Sequence, residues 1–156
     1  MRIRVIWEGK TKDPRLLALQ SDYKARIAHF SELKTDEISP EPRLRRRGEE
    51  LSGLEKRLLE RVTKLDGRRM VVLDQRGEEW TSGQFARWMG QCASQGVREL
   101  VFIVGGADGF STEFRHRADM ALSLSRMTLT RDWARTLLLE QIYRAYTIER
   151  GYPYPR

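Results

Sequence analysis

The stretch ELVFIVGGADGFS, from Glu99 to Ser111, joins an apolar, strand-forming run to two glycines, an acid and a third glycine. Glycines just past a strand let the backbone approach a ligand closely or adopt φ angles that other residues avoid. The spacing is G-G-x-x-G, not the G-x-G-x-x-G of a dinucleotide site, and no ribose-binding acid follows about 20 residues later. A nicotinamide- or nucleotide-binding enzyme would rest on this loop alone. What surrounds the loop decides its meaning.

Upstream, Met70 to Leu73 is another apolar run without alternation, which suits a strand covered on both faces of a parallel sheet. Between these strands, Thr81 or Ser82 caps a helix with Phe85, Met89 and Cys92 on one face. Near the start, Ile3, Val5 and Trp7 mark an opening strand. Asp13 and Pro14 then begin a helix carrying Leu16, Leu19, Tyr23, Ile27 and Phe30. Residues 33–38 suit a short second strand. Leu51, Leu54, Leu58, Val62 and Leu65 give another helix. Beyond the glycines come a short helical piece near residues 112–118, a strand and loop in MALSLSRMTLT, and a last helix. That helix starts at Thr130 and Asp132, runs to about Arg150 and is closed by Gly151. Strands alternating with helices predict one α/β domain over residues 1–156, a mostly parallel sheet flanked by helices.

Lysine and arginine number 29 against 22 acids, a net charge of +7 that favours an anionic partner, nucleic acid foremost. Cys92 is the only cysteine, and His29 and His116 are the only histidines, so a closed zinc site lacks its ligands. No apolar run approaches the roughly 20 residues of a membrane span. MRIRVIWEGK reads as a charged strand, not as a leader. The expectation is a soluble cytoplasmic protein with no metal and no membrane partner.

Ligands of open α/β sheets bind beyond the carboxyl ends of the strands. Here those ends are Leu73–Asp74, Gly105–Gly106 and the segment Leu124–Leu129. In LSLSRMTL, small hydroxyls alternate with apolar residues before the chain continues as loop. That pattern offers backbone groups and a shallow apolar surface suited to a flat ring such as adenine. A plain strand with solvent-facing serines accounts for the same pattern.

Taken together, FIVGGADGFS, LSLSRMTL and ARTLLLEQIYRAYTIERGYPYPR resemble the SPOUT-class methyltransferases. More closely, they are similar to the RlmH family, which methylates pseudouridine in large-subunit ribosomal RNA. The likeness covers the whole chain in length and element order and is most specific in the last third. It implies a SPOUT-like fold with a C-terminal trefoil knot, a homodimer and S-adenosyl-L-methionine as cofactor. It assigns cofactor binding to Leu73, Gly105, Gly106, Leu124, Ser125, Arg126, Met127, Thr128 and Leu129. Candidates for aligning the substrate and handling its proton are Arg135, Tyr143, Arg144, Tyr154 and Arg156. Each has a plainer reading: solvated charge for the arginines, core packing for Tyr143, a dimer salt bridge for Arg144.

The family tail reads close to H-P-Y-H-R, where this chain has Tyr152, Pro153, Tyr154, Pro155 and Arg156, so both histidines are replaced. Histidine is the side chain best suited to proton transfer near neutral pH. Two functions therefore stand side by side. One is methylation of 23S ribosomal RNA, at N3 of a pseudouridine, on free RNA or an assembled ribosome. The other is a non-catalytic ribosome- or RNA-binding relative. In either case the basic arm Arg43, Arg45, Arg46 and Arg47 is expected to contact phosphates.

Overall fold

The structure is a computed structural model and describes residues 1–40, 50–63, 66–105 and 109–154. The chain alternates β1 (Arg2–Glu8), α1 (Pro14–Ala28), β2 (Leu33–Ile38), α2 (Gly53–Thr63) and β3 (Arg68–Glu79). It continues with α3 (Ser82–Ser94), β4 (Glu99–Val104), α4 (Thr112–Arg117), β5 (Met120–Ser123) and α5 (Arg131–Glu149). The five strands form one sheet in the order β2-β1-β4-β3-β5, and every neighbouring pair is parallel.

Strand alternation sorts the core into two layers. Leu100, Phe102 and Val104 of β4 join Ile3, Val5 and Trp7 against Ile27 of α1, Phe85 and Met89 of α3, and Leu138, Leu139 and Ile142 of α5. Val101 and Ile103 face the other way with Ile6, Met70 and Val72, packing on Leu54, Leu58 and Val62 of α2 and Phe114 of α4. A period-2 strand with both faces covered is apolar throughout, which is why β4 shows no polar alternation. The helices start where the sequence marks them. Asp13 caps α1 with Pro14 in its first turn, Thr81 and Gln84 form a capping box on α3, and Thr130 caps α5.

One expectation about a face is corrected. Leu19 is exposed, and the buried stripe of α1 runs through Gln20 instead. The Gln20 side chain accepts from the Thr11 hydroxyl and donates to Thr136 Oγ1, so burial leaves it satisfied. On α5, Trp133 and Ile148 stay at the surface while Leu138 and Ile142 are fully buried.

The third strand also runs further than its apolar core suggests. Leu73 pairs with Leu122, four residues stand off, and Glu78 pairs with Leu122 again before Glu79 reaches Ser123. The excursion Asp74–Gly77 thus leaves β5 and returns to it. At the return, Gly77 lies so close that a Cβ would sit 2.6 Å from the Ala121 carbonyl. Only glycine allows backbones to pass at that distance.

Candidate functional site

The carboxyl ends of β3 and β4, the strip after β5 and the first turn of α5 converge on a cavity of about 730 Å³. Leu73, Gly105, Leu124, Ser125, Met127, Thr128 and Leu129, named above from the resemblance, all line it. The strip holds its shape through its own serines. Ser123 Oγ donates to the Ser125 carbonyl (3.1 Å), and Ser125 Oγ accepts from the Met127 amide (2.9 Å). The alternating hydroxyls therefore build a turn, which leaves leucine side chains and main-chain groups for a ligand. At Gly105 a Cβ would press on the Phe110 ring at 3.0 Å. The far side of the glycine loop is anchored where the Ser111 amide donates to the buried Glu55 carboxylate (2.8 Å).

Arg126 does not line the cavity. Its guanidinium turns outward to Glu79 Oε1 at 2.5 Å and its side chain is 84% exposed. Gly106, Arg156 and the basic arm Arg43, Arg45, Arg46 and Arg47 lie outside the described residues.

Beside the strand-end Asp74, the excursion of β3 supplies lining residues that periodicity did not reveal, Gln75 and Arg76. Gln75 Nε2 donates to Thr128 Oγ1 (3.2 Å), tying the excursion to the strip. Asp74 is held by the Arg76 amide and guanidinium, with Arg115 at 3.5 Å. Burial alone would raise its pKa, but the Arg76 hydrogen bonds and the two positive charges outweigh it and hold the carboxyl below its ordinary value. Arg131 and Ala134 close the cavity from α5.

The expected catalytic residues divide. Arg135 is fully buried and faces away from both large cavities. It donates to Thr11 Oγ1 (3.2 Å), to Asp132 Oδ1 (3.5 Å) and to the Glu8 carbonyl, and stacks over Trp7 at 5.1 Å. Its place is structural: it pins α5 to the end of β1. Tyr143, Arg144 and Tyr154 come together at the other end of α5. Arg144 sits 4.6 Å above the Tyr154 ring, which Tyr143 meets edge-on at 4.9 Å. Beside them opens a second space of about 1090 Å³, lined by Arg144, Ile148, Tyr152, Pro153 and Tyr154 among others. Arg131 and Arg144 are thirteen residues apart on one helix, so the two regions stand roughly 20 Å apart at 1.5 Å per residue.

The chain is an α/β protein with an all-parallel sheet and an apolar, backbone-rich cavity at its carboxyl edge. The family model for predicted SPOUT methyltransferases matches residues 1–155, and the chain belongs to that family. It is 41% identical over 156 residues to the ribosomal RNA large subunit methyltransferase H of Geobacter metallireducens, covering 99% of this chain and 98% of that one. The enzyme of the same name from Trichlorobacter lovleyi is 41% identical over 160 residues, covering 99% of each.

Among solved structures, the putative methylase family protein of Neisseria gonorrhoeae aligns with a TM-score of 0.55 at 12% identity, over 99% of this chain and 85% of that one. The SpoU methyltransferase AviRb of Streptomyces viridochromogenes, solved with AdoMet, aligns with a TM-score of 0.50 at 16% identity. That match covers 93% of this chain and 58% of AviRb. These structures share the fold.

Among the described residues, no helix is long and apolar enough to cross a membrane, and no group of three or more His, Cys, Asp or Glu is placed to hold a metal ion.

Proposed function

We propose that this protein transfers a methyl group from S-adenosylmethionine to large-subunit ribosomal RNA, at N3 of a pseudouridine, and that it works as a homodimer in the cytoplasm. The observation that carries the reading is the cavity itself. Its leucines, turn-forming serines and open main-chain groups lie at the sheet edge of a chain about 40% identical to named ribosomal RNA methyltransferases.

The donor set fits the cofactor. Leu73, Leu124 and Leu129 offer a flat apolar surface for the adenine, and Gly105 and the 124–130 backbone offer polar groups and close approach. When bound, the cofactor supplies a methyl group on an electrophilic sulfonium. The protein must then align the attacking nitrogen and exclude water. Arg144 is a fixed cation suited to stabilising the anion that develops on the ring carbonyls. Separation of the Arg144–Tyr154 cluster from the cavity supports a two-copy site, in which one protomer's tail meets its partner's cavity. Exposed Trp133, Ile148 and Tyr152 along α5 and the tail give that assembly apolar surface to bury. The excursion of β3 around β5 is the segment through which the knot is proposed to pass.

Calorimetric titration with S-adenosylhomocysteine, followed by transfer of labelled methyl groups to ribosomes lacking the modification, tests this reading. Binding with transfer is the expected result. Binding without transfer would favour the non-catalytic RNA-binding relative that the tail substitutions suggest. No binding up to millimolar ligand would overturn the cofactor site.

A further inference from the structure

An imide nitrogen attacks poorly while it keeps its proton, so a methyl transfer to N3 needs somewhere for that proton to go. Neither His29, at the end of α1, nor His116, within α4, lines either large cavity. Where the family tail carries histidine, this chain has Tyr152 and Pro155.

The tail nevertheless meets an acid. The Tyr154 hydroxyl donates to Glu140 Oε1 at 3.2 Å and lies 3.0 Å from the Tyr23 hydroxyl. The same carboxylate oxygen accepts from Arg144 Nε (3.0 Å) and Nη2 (2.6 Å), and Oε2 accepts from Gln141 Nε2 (2.6 Å). The Glu140 side chain is 15% exposed.

A phenol oxygen has one proton to give and two lone pairs to receive. With its proton directed to Glu140 and one lone pair toward Tyr23, the Tyr154 hydroxyl keeps one lone pair, and the residue lines the tail cavity. The ring is clamped by Arg144 above it and Tyr143 at its edge.

We propose that Glu140 is the proton sink of the methyl transfer, reached through the Tyr154 hydroxyl, in the place a tail histidine would take. This rests on the function and two-copy site proposed above. As N3 forms its bond to the methyl carbon, the carbon–sulfur bond breaks and its electron pair remains on sulfur, which leaves as a neutral thioether. The N3 proton passes to the Tyr154 oxygen while the Tyr154 proton passes to Glu140 Oε1, and one proton is later released to water. The proton leaves as the N3–carbon bond forms, and the irreversible breakage of the carbon–sulfur bond draws the uphill transfer to a carboxylate forward.

The groups facing the relay are Tyr23 and Arg26 from α1 and Tyr143 and Arg144 from α5. Arg26 is engaged by Asp22 at 2.8 Å and lies over the Tyr23 and Tyr143 rings. Burial first, then the Tyr23 hydrogen bond and the Glu140 charge, push the Tyr154 phenol above its ordinary range, so it enters the relay protonated.

The test compares wild type, Glu140→Gln and Glu140→Asp with two readouts. In single-turnover methyl transfer, E140Q should lose about a hundredfold or more in rate at unchanged KM. Its rate should rise about tenfold per pH unit through neutrality, because hydroxide must replace the carboxylate. Wild type should stay level there, and E140D should recover part of the rate with the level profile. The second readout is independent of activity: difference absorbance at 295 nm, with Tyr154→Phe to assign the signal. The Tyr154 phenol should ionise at lower pH in E140Q than in wild type. An unmoved phenol titration, or a wild-type rate and profile in E140Q, overturns the relay. Failure of wild type to bind S-adenosylhomocysteine overturns the function reading instead, leaving the phenol titration to judge the coupling.

Discussion

Replacing Gly77 by alanine asks the structure for room it does not have. The added Cβ would lie 2.6 Å from both the carbonyl carbon and the oxygen of Ala121 and 2.7 Å from the Leu122 carbonyl carbon. All three are backbone atoms, so no side-chain rotation relieves the overlap. Gly77 is not among the positive-φ glycines, so the cost is steric and not conformational. Overpacking typically costs 1–3 kcal/mol, and a clash against backbone in a paired strand belongs near the upper figure, about 3 kcal/mol. For a domain of this size each kcal/mol moves Tm by about 2–4 °C, so G77A should melt roughly 6–12 °C lower. The relief must come by moving β5 or the excursion, and Asp74, Gln75 and Arg76 of that excursion line the cavity. Affinity for S-adenosylhomocysteine should therefore fall with Tm, measured by calorimetry well below the transition. Gly96→Ala is the control: its Cβ meets nothing within 4 Å, but its φ of 81° carries strain of about 1–2 kcal/mol. G96A should lose stability and keep its affinity. If G77A matches wild type in both Tm and affinity, the close passage of the two segments is wrong.

Arg135→Ala should lower stability by about 3 kcal/mol, since it removes a buried cation hydrogen-bonded to Asp132, Thr11 and the Glu8 carbonyl. At 20 °C kcat should hold; a large loss of kcat in protein still folded by circular dichroism would return Arg135 to the chemistry. Arg126→Ala should change stability by no more than about 1 kcal/mol, as expected for an exposed pair, and leave S-adenosylhomocysteine affinity unchanged in calorimetry. Asp74 is held below its unfolded pKa, so its contribution is complete above the unfolded value and is lost as pH falls through the lower folded one. Asp74→Asn should accordingly be less stable than wild type at pH 7, with the gap closing below about pH 4 in urea titrations.

Element order was legible because each strand and helix carries its own period and cap, as the runs Met70–Leu73 and Leu100–Val104 and the caps Asp13, Thr81 and Thr130 show. Most of the cavity was legible too, since strand ends are where α/β sheets bind ligands. The return of β3 at Glu78 was not, because pairing one residue of β5 with two of β3 is a non-local event that leaves no local period. Gln75 and Arg76 were missed with it. The placement of Arg135 was readable in principle. It lies three, four and seven residues before Leu138, Leu139 and Ile142, on the buried stripe, where an arginine is held by partners and not offered to substrate. Gln20 carried the same signal on α1, four residues after Leu16 and seven before Ile27. The Glu140–Tyr154 contact joins α5 to the tail through a reversal at Gly151, which spacing along the chain does not disclose.

The strand order also governs how the molecule can be made. β4 lies between β1 and β3, and β5 pairs only with β3, so β3 has no partner in the sheet until β4 has been synthesised. A nascent chain that has emerged only as far as α3 holds one strand pair, β1 with β2, and an apolar third strand with nothing to join. Such long-range parallel pairings assemble slowly and expose apolar edges while they wait. The cavity is completed only by residues 124–134, so the proposed cofactor binding is among the last properties the growing chain acquires. A chain stopped before that point would lack the cofactor cavity.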